Sequence, residues 1–300
     1  MLDVLFLGTG ASLPSRDRAL PGVAVRNGPD IVLFDCGEGT QRQIMVSPFS
    51  FMKLRAVFVT HMHGDHFYGL PGLLQTMGMM NRREPLTVCG PEGFSAALVT
   101  ALGLCEGEIP YELDVRDVSP GDVVRAGRMG VSVFATDHGI RSQGYVLREP
   151  DSTGRVDPNK ARVLGLPSED VRRVVGGEAV GGVSYADIAA PDRRGASLAY
   201  TGDTRPCVTL DEAVAGADAI VHESTYSVDD ADLAGRYLHS TCADAAAAAA
   251  RAGAKALFLV HVSNRYKDRR RLLEQARAVF PETHMPEDLA LYRVTRNGVR

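Results

Sequence analysis

Three of the chain's eight histidines stand within six residues, in His61-Met62-His63-Gly64-Asp65-His66, and this cluster limits the fold more than any other feature. Imidazole and carboxylate are the ligands that borderline-soft divalent cations prefer. Four such groups so close in sequence cannot all reach one tetrahedral ion comfortably. They can serve two adjacent ions, His61 and His63 on the first, Asp65 and His66 on the second, with Gly64 supplying the turn between. The remaining ligands must then be delivered to this loop by the rest of the chain.

Four short apolar, β-branched or aromatic runs end in metal-type side chains: residues 56–60 run into His61, 131–137 into His138, 197–202 into Asp203 and 256–260 into His261. Such runs read as buried strands. A sheet with ligands at its strand ends gathers them along one edge, where α/β and layered folds place their sites. Strands at 5–7 and 31–34 break at Gly8-Thr9-Gly10 and at Asp35-Cys36-Gly37-Glu38-Gly39. These loops are expected to shape the rim of the site, because no helix follows at the dinucleotide-fingerprint spacing.

Helices are expected over 39–45 and 70–77, with Met77, Met79 and Met80 as core filler. Residues 243–252, with six alanines at 245–250, have very high helix propensity. Thr241 with Asp244 fits the cap of that helix, whose free N–H groups favour an anion. The basic run 265–271 reads as a solvated helix face that can also meet phosphates. Residues 148–196 carry eight Lys/Arg and eight Asp/Glu with few aromatics. They read as an excursion from one fold spanning 1–300, not as an independent domain.

Composition narrows the classes. A chain 45% hydrophobic and 23% charged is neither disordered nor collagen-like. It has no run of 18 apolar residues and no basic leader, so neither a membrane helix nor a secretory signal is expected. The dispersed cysteines 36, 89, 105, 207 and 242 read as reduced thiols of a cytosolic protein. A net charge of −4 gives no basic field for nucleic acid. An RNA ligand would need a local patch, or bound cations that invert the local sign.

With His61, His63 and His138 on one zinc and Asp65, His66 and His261 on the other, Asp203 is the natural bridge. Two Zn²⁺, two carboxylates and a hydroxide leave the site about one unit positive. Such a pair makes hydroxide available near neutral pH, so hydrolysis is the default chemistry. Asp65 is placed to orient the nucleophile or accept its proton. Glu223, at the end of the apolar run 219–223, and His239 are candidates for the acid that protonates a leaving oxygen. A structural His–Glu hydrogen bond explains that spacing equally well.

The string His61-x-His63-x-Asp65-His66 is similar to the metal-binding motif of the metallo-β-lactamase superfamily. The fuller string 58–73, together with Phe6-Leu7-Gly8-Thr9-Gly10, Pro14-Ser15-Arg16, residues 34–41, Thr201-Gly202-Asp203-Thr204-Arg205-Pro206-Cys207, His222-Glu223-Ser224-Thr225-Tyr226 and His261-Val262-Ser263-Asn264-Arg265-Tyr266, resembles the ribonuclease Z family of tRNA 3′-processing endoribonucleases. The likeness runs through nearly the whole chain in the family's order. It implies an α/β fold, an αββα four-layer sandwich with a protruding arm, and a cytoplasmic homodimer acting on precursor tRNA. It implies two zincs: His61, His63, His138 and Asp203 on one, and Asp65, His66, Asp203 and His261 on the other. Asp65 would be the proton acceptor and Glu223 with His239 the proton-relay pair. The excursion 148–196 stands where the family carries its tRNA-gripping arm. The family's Gly-x-Pro-x-Gly-Pro element is represented by Gly165-Leu166-Pro167-Ser168-Glu169-Asp170, without the second Gly-Pro.

Three other readings fit less well. Hydrolysis of a small phosphodiester, aryl sulfate or thioester keeps the metals but leaves the outlying motifs unexplained. A di-iron redox protein calls for harder ligation, often a Glu where this chain has His63. A non-catalytic RNA-binding protein is expected to have lost ligands, and none is missing.

Overall fold

Strands that are covered on both faces read as continuous apolar runs rather than alternating ones, and the runs before His61, Asp203 and His261 prove to be of this kind, whereas the run before His138 alternates between buried and half-buried residues. The computed structural model describes residues 1–104 and 107–300. Its strands are β1 (Leu2–Gly8), β2 (Gly22–Asn27), β3 (Asp30–Phe34), β4 (Leu54–Phe58), β5 (Leu86–Gly90), β6 (Leu113–Asp117), β7 (Val123–Ala126), β8 (Met129–Ala135), β9 (Gln143–Arg148), β10 (Ser197–Tyr200), β11 (Ala219–Glu223), β12 (Ala256–Val260), β13 (Thr283–His284), β14 (Leu291–Thr295) and β15 (Gly298–Val299). They form two sheets, in the orders β15-β14-β1-β2-β3-β4-β5-β6 and β13-β12-β11-β10-β9-β8-β7. Neighbours from β3 to β6 and from β10 to β13 are parallel.

Helices α1 (Thr40–Met45), α2 (Gly64–Phe67), α3 (Gly69–Met79), α4 (Phe94–Gly103), α5 (Pro158–Val163), α6 (Ser168–Val175), α7 (Tyr185–Ile188), α8 (Val208–Val214), α9 (Ala231–Tyr237), α10 (Cys242–Ala252) and α11 (Arg270–Arg277) complete the elements used below. The chain divides into two compact units, Met1–Glu149 with Ala196–Arg300, and Pro150–Gly195.

In the larger unit, side-chain alternation along each strand splits the core into three layers. Val4 and Phe6 face inward with Phe34 and Phe58, and meet Val131, Tyr145, Tyr200 and Phe258 of the other sheet. Leu5, Leu7 and Leu33 face outward onto α1, α3 and α4, where Leu70, Leu73, Leu74 and Met77 repeat at helical spacing. The second sheet's outer face takes α8, α10 and α11 through Leu210, Val214, Ala245, Ala249 and Leu272. The order is helix, sheet, sheet, helix, the αββα sandwich expected of the sequence.

Several local expectations need revision. Met77 is buried, but Met79 and Met80 lie exposed at the end of α3, past the last turn that packs on the sheet. Strand β4 stops at Phe58 rather than Thr60, because the Thr60 N–H is donated to the Asp35 carboxylate at 2.7 Å instead of to a neighbouring strand. Strand β8 stops at Ala135, and the Asp137 N–H goes to the Thr204 hydroxyl. The cap of α10 is a closed Thr241–Asp244 box, with Asp244 supplying the negative charge that an external anion would have brought. Of the basic run only Arg270 and Arg271 are helical. Arg265, Arg269, Arg270 and Arg271 pair with Asp230, Glu287, Asp268 and Asp229.

The smaller unit has its own apolar cluster around Ala161, Val174 and Ile188. Where the family's second Gly-Pro is missing, Pro167 instead precedes α6, whose first turn carries Glu169 and Asp170 at the end that favours acids. Cys36, Cys89, Cys207 and Cys242 are free thiols, and Cys105 lies outside the described residues. No helix among the described residues is long and apolar enough to cross a membrane.

Candidate metal centre

The loop after β4 and helix α2 bring His61, His63, Asp65 and His66 to the end of the first sheet. The second sheet delivers His138 after β8, Asp203 after β10 and His261 after β12. Gly202 permits the approach of the Asp203 loop. Its φ is +60°, and a Cβ there would lie 2.6 Å from the Thr60 Cβ. His261, at φ +54°, also holds the left-handed conformation, a strain of order 1–3 kcal/mol that sites tend to store.

All seven side chains converge. The first group is His61, His63, His138 and Asp203, and the second is Asp65, His66 and His261. Asp203 Oδ2 sits between them, 3.8 Å from His61 Nε2, 3.7 Å from His138 Nε2, 3.4 Å from His66 Nε2 and 3.2 Å from His261 Nε2. Asp65 Oδ2 lies 3.6 Å from His66 Nε2 and 3.4 Å from His261 Nε2. His63 Nδ1 lies 3.0 Å from His61 Nε2 and 3.3 Å from His138 Nε2. Donors about 2.0–2.1 Å from a tetrahedral zinc stand roughly 3.3 Å from one another. These spacings fit that figure. Buried atoms His66 Nε2 and Asp203 Oδ1 have no hydrogen-bond partner among the described residues. The donor set therefore suits a pair of divalent cations.

Each sheet also fixes its histidines from behind. On the first, Asp35, at the end of β3, accepts His66 Nδ1–H at 2.7 Å and the Thr60 hydroxyl at 3.0 Å, and that hydroxyl lies 3.0 Å from His61 Nδ1. On the second, Glu223, at the end of β11, accepts His239 Nδ1–H at 2.8 Å and the Thr225 hydroxyl at 2.6 Å, which lies 2.8 Å from His261 Nδ1. His138 Nδ1–H is donated to the Leu238 carbonyl at 3.0 Å. These bonds turn the Nε2 atoms of His61, His66, His138 and His261 toward the centre, the outer-shell arrangement typical of metal-ligating histidines.

Thr60 and Thr225 had no expected role in the site, and Asp35 was expected only in a loop that shapes its rim. Asp35 follows the apolar run 31–34 as the expected ligands follow theirs, so the same signal was present for it.

Electrostatics follow from burial and mutual charge. Burial, reinforced by His66, holds His61 well below the ordinary imidazole range, and burial with His138 lowers His63. His66 moves well above that range, because Asp203 and Asp35 outweigh its burial. Asp203 and Asp65 are lowered. Burial opposes both shifts, and His261 and His66 outweigh it. Burial likewise opposes the ionisation of Glu223, which His239 nonetheless favours, while Glu223 raises His239 to about 9.

A cavity of about 510 Å³ opens onto the centre, lined by Ser12, His63, Asp65, Tyr226, His239 and Arg265 among others. The Ser12 N–H donates to Asp65 Oδ2 at 2.9 Å, and the Arg265 guanidinium lies 5.0 Å over the Tyr226 ring. His239 also falls within ligand reach of Asp203 and His261.

Residues 31–174 match the family described as the β-lactamase superfamily domain. The chain is 42% identical over 287 residues to a ribonuclease Z of Ignicoccus hospitalis, covering 94% of this chain and 95% of that one. It is 39% identical over 297 residues to a ribonuclease Z of Methanosarcina mazei, covering 96% and 97%. Among solved structures it is similar to the short form of human tRNase Z, with TM-score 0.72 and 26% identity over 98% of this chain and 99% of that one. It shares the fold of a long-form RNase Z from yeast, with TM-score 0.68 and 17% identity over 97% of this chain and 41% of that one.

Proposed function

The chain belongs to the ribonuclease Z family, and from that membership we propose that it is a zinc-dependent endoribonuclease that removes the 3′ trailer of tRNA precursors by hydrolysing one phosphodiester, leaving a tRNA 3′-hydroxyl. One zinc would be held by His61, His63, His138 and Asp203, the other by Asp65, His66, Asp203 and His261. The observation that carries this reading is the position of Asp203 Oδ2 within 3.8 Å of four imidazole Nε2 atoms drawn from both sheets.

When bound, the cations supply Lewis acidity, readying water near neutral pH and offsetting charge on a phosphate in transition. Asp65, with one oxygen held by the Ser12 N–H, orients the attacking water and takes its proton. His239, aligned and kept protonated by buried Glu223, donates a proton to the departing sugar oxygen. Arg265 faces the cavity as a cation for a flanking phosphate. The unit Pro150–Gly195 corresponds to the family's tRNA-gripping arm. The same reading makes the protein a cytoplasmic homodimer, with sedimentation as the check on its assembly.

The test is a gel assay on a trailer-bearing tRNA precursor. Cleavage at the base of the trailer, lost to a chelator and restored by zinc, is expected. Turnover of an aryl phosphodiester with none of the RNA would overturn the reading.

A further inference from the structure

Asp35 takes one more hydrogen bond, and it comes from the opposite sheet. The Tyr200 hydroxyl donates to Asp35 Oδ2 at 2.8 Å, the same oxygen that accepts His66 Nδ1–H at 2.7 Å. Tyr200 ends β10, three residues before Asp203, and is 2% exposed. Its ring lies against Phe34, the neighbour of Asp35, with centroids 5.4 Å apart and planes within 16°. Burial, with Asp35 beside it, pushes the phenol well above its ordinary range, so the hydroxyl stays a donor.

We propose that Tyr200 is a positioning residue for the metal centre: its hydroxyl, reaching across the two sheets, locks the one carboxylate that orients His66 directly and His61 through Thr60. The proposal rests on the metal reading of the site. A carboxylate buried among aromatics and held by donors from both sheets cannot rotate. Thr60 grips Oδ1 with its N–H at 2.7 Å and reaches Oδ2 with its hydroxyl at 3.0 Å, and Tyr200 supplies the shorter donor to Oδ2, the one from the opposite sheet. Without the phenol, Oδ2 loses its cross-sheet donor, and the carboxylate is held only from the first sheet, by Thr60 and by His66 itself. One histidine of each metal group then loses its cross-sheet brace. Substitutions of partners that bond the ligands directly typically weaken metal binding about 10–100-fold, and Tyr200, one bond further out, falls at the lower end of that range.

Tyr145 supplies the control. It is equally buried in the same core, and its hydroxyl donates to the Val59 carbonyl at 2.6 Å without touching Asp35. Zinc affinity is measured by competition with a chromophoric chelator, using zinc alone, for the wild type, Tyr200→Phe and Tyr145→Phe, with a thermal melt of each. Tyr200→Phe is expected to bind zinc about tenfold more weakly. Tyr145→Phe should stay within about twofold of wild type at a comparable loss of stability. Excess zinc should restore most of the kcat of Tyr200→Phe on the precursor, with KM unchanged.

Equal zinc affinity in Tyr200→Phe and wild type would overturn the proposal. So would an equal loss in Tyr145→Phe, which would make the effect one of general core loosening. A wild-type protein that binds no zinc would overturn the metal reading itself, whereas zinc binding without RNA cleavage would leave the role of Tyr200 standing and remove only the proposed substrate.

Discussion

Replacing His239 by Ala removes a side chain that lines the cavity and donates Nδ1–H to Glu223 at 2.8 Å. General acids contribute about 10²–10⁴ in rate, equivalent to about 3–5 kcal/mol of barrier. The surroundings limit what else the substitution can disturb. Glu223 still accepts the Thr204 N–H at 2.8 Å, the Thr225 N–H at 3.2 Å and the Thr225 hydroxyl at 2.6 Å, so the hydroxyl behind His261 stays in place. The loss should therefore follow the leaving group. A sugar oxygen departs poorly without a proton, whereas a nitrophenolate departs as a stable anion. With the precursor, kcat/KM is expected to fall about 10²–10⁴-fold. With bis(p-nitrophenyl) phosphate the fall should be under about tenfold, and the zinc content should match wild type. Equal losses on both substrates would refute the acid role. Loss of one metal would make His239 a ligand beside Asp203 and His261. Glu223→Gln perturbs the same pair differently. An amide whose oxygen still faces His239 must turn its NH₂ toward the Thr225 N–H and hydroxyl, opposing donors in a buried site. That conflict costs about 1–3 kcal/mol, so this variant should lose stability as well as activity.

His63→Ala should abolish cleavage while precursor binding, read by gel shift, persists; residual turnover above about 1% would contradict its place among the ligands. Replacing residues 150–195 by a short Gly-Ser linker should raise KM for the precursor more than for bis(p-nitrophenyl) phosphate, and equal changes would argue against the arm. Arg82, 1% exposed, donates to the carbonyls of Met52, Leu54, Glu84 and Pro85. Arg82→Met should therefore cost roughly 3 kcal/mol or more in urea denaturation, and a loss under about 1 kcal/mol would show those carbonyls finding other partners. Asp30 is held below the usual carboxylate range by Arg55 and Arg128 against its burial. Its contribution is present above about pH 3.9 and lost as pH falls through the depressed folded value. Asp30→Asn should flatten that acid limb of the stability curve, and an unchanged limb would place the coupling elsewhere.

Much of this centre was readable from the sequence because two-sided burial makes strands conspicuous, and a polar residue at the end of such a strand stands out. Asp203 and His261 stand out that way, from positions far apart in the chain, and His138 follows β8, which is only partly covered. Thr60, Thr225 and Tyr200 do not stand out. A hydroxyl within an apolar run resembles ordinary strand composition, and its partner is set by the facing of two sheets, which spacing does not encode. Arg82 escaped for a similar reason: in Asn81-Arg82-Arg83 it looks solvated, and only the convergence of four carbonyls accounts for its burial. Met79 and Met80 erred the other way, as apolar residues beyond the last buried turn of α3.

The candidate ligands are spread from position 61 to position 261, and the last of them follows β12, late in the chain. A polypeptide emerging from a ribosome would have presented its first histidines long before that strand was made. Until β12 pairs beside β11, the group of Asp65, His66 and His261 would lack its last member. The centre is thus assembled last from its most distant piece, and a chain truncated before β12 would lack His261 altogether.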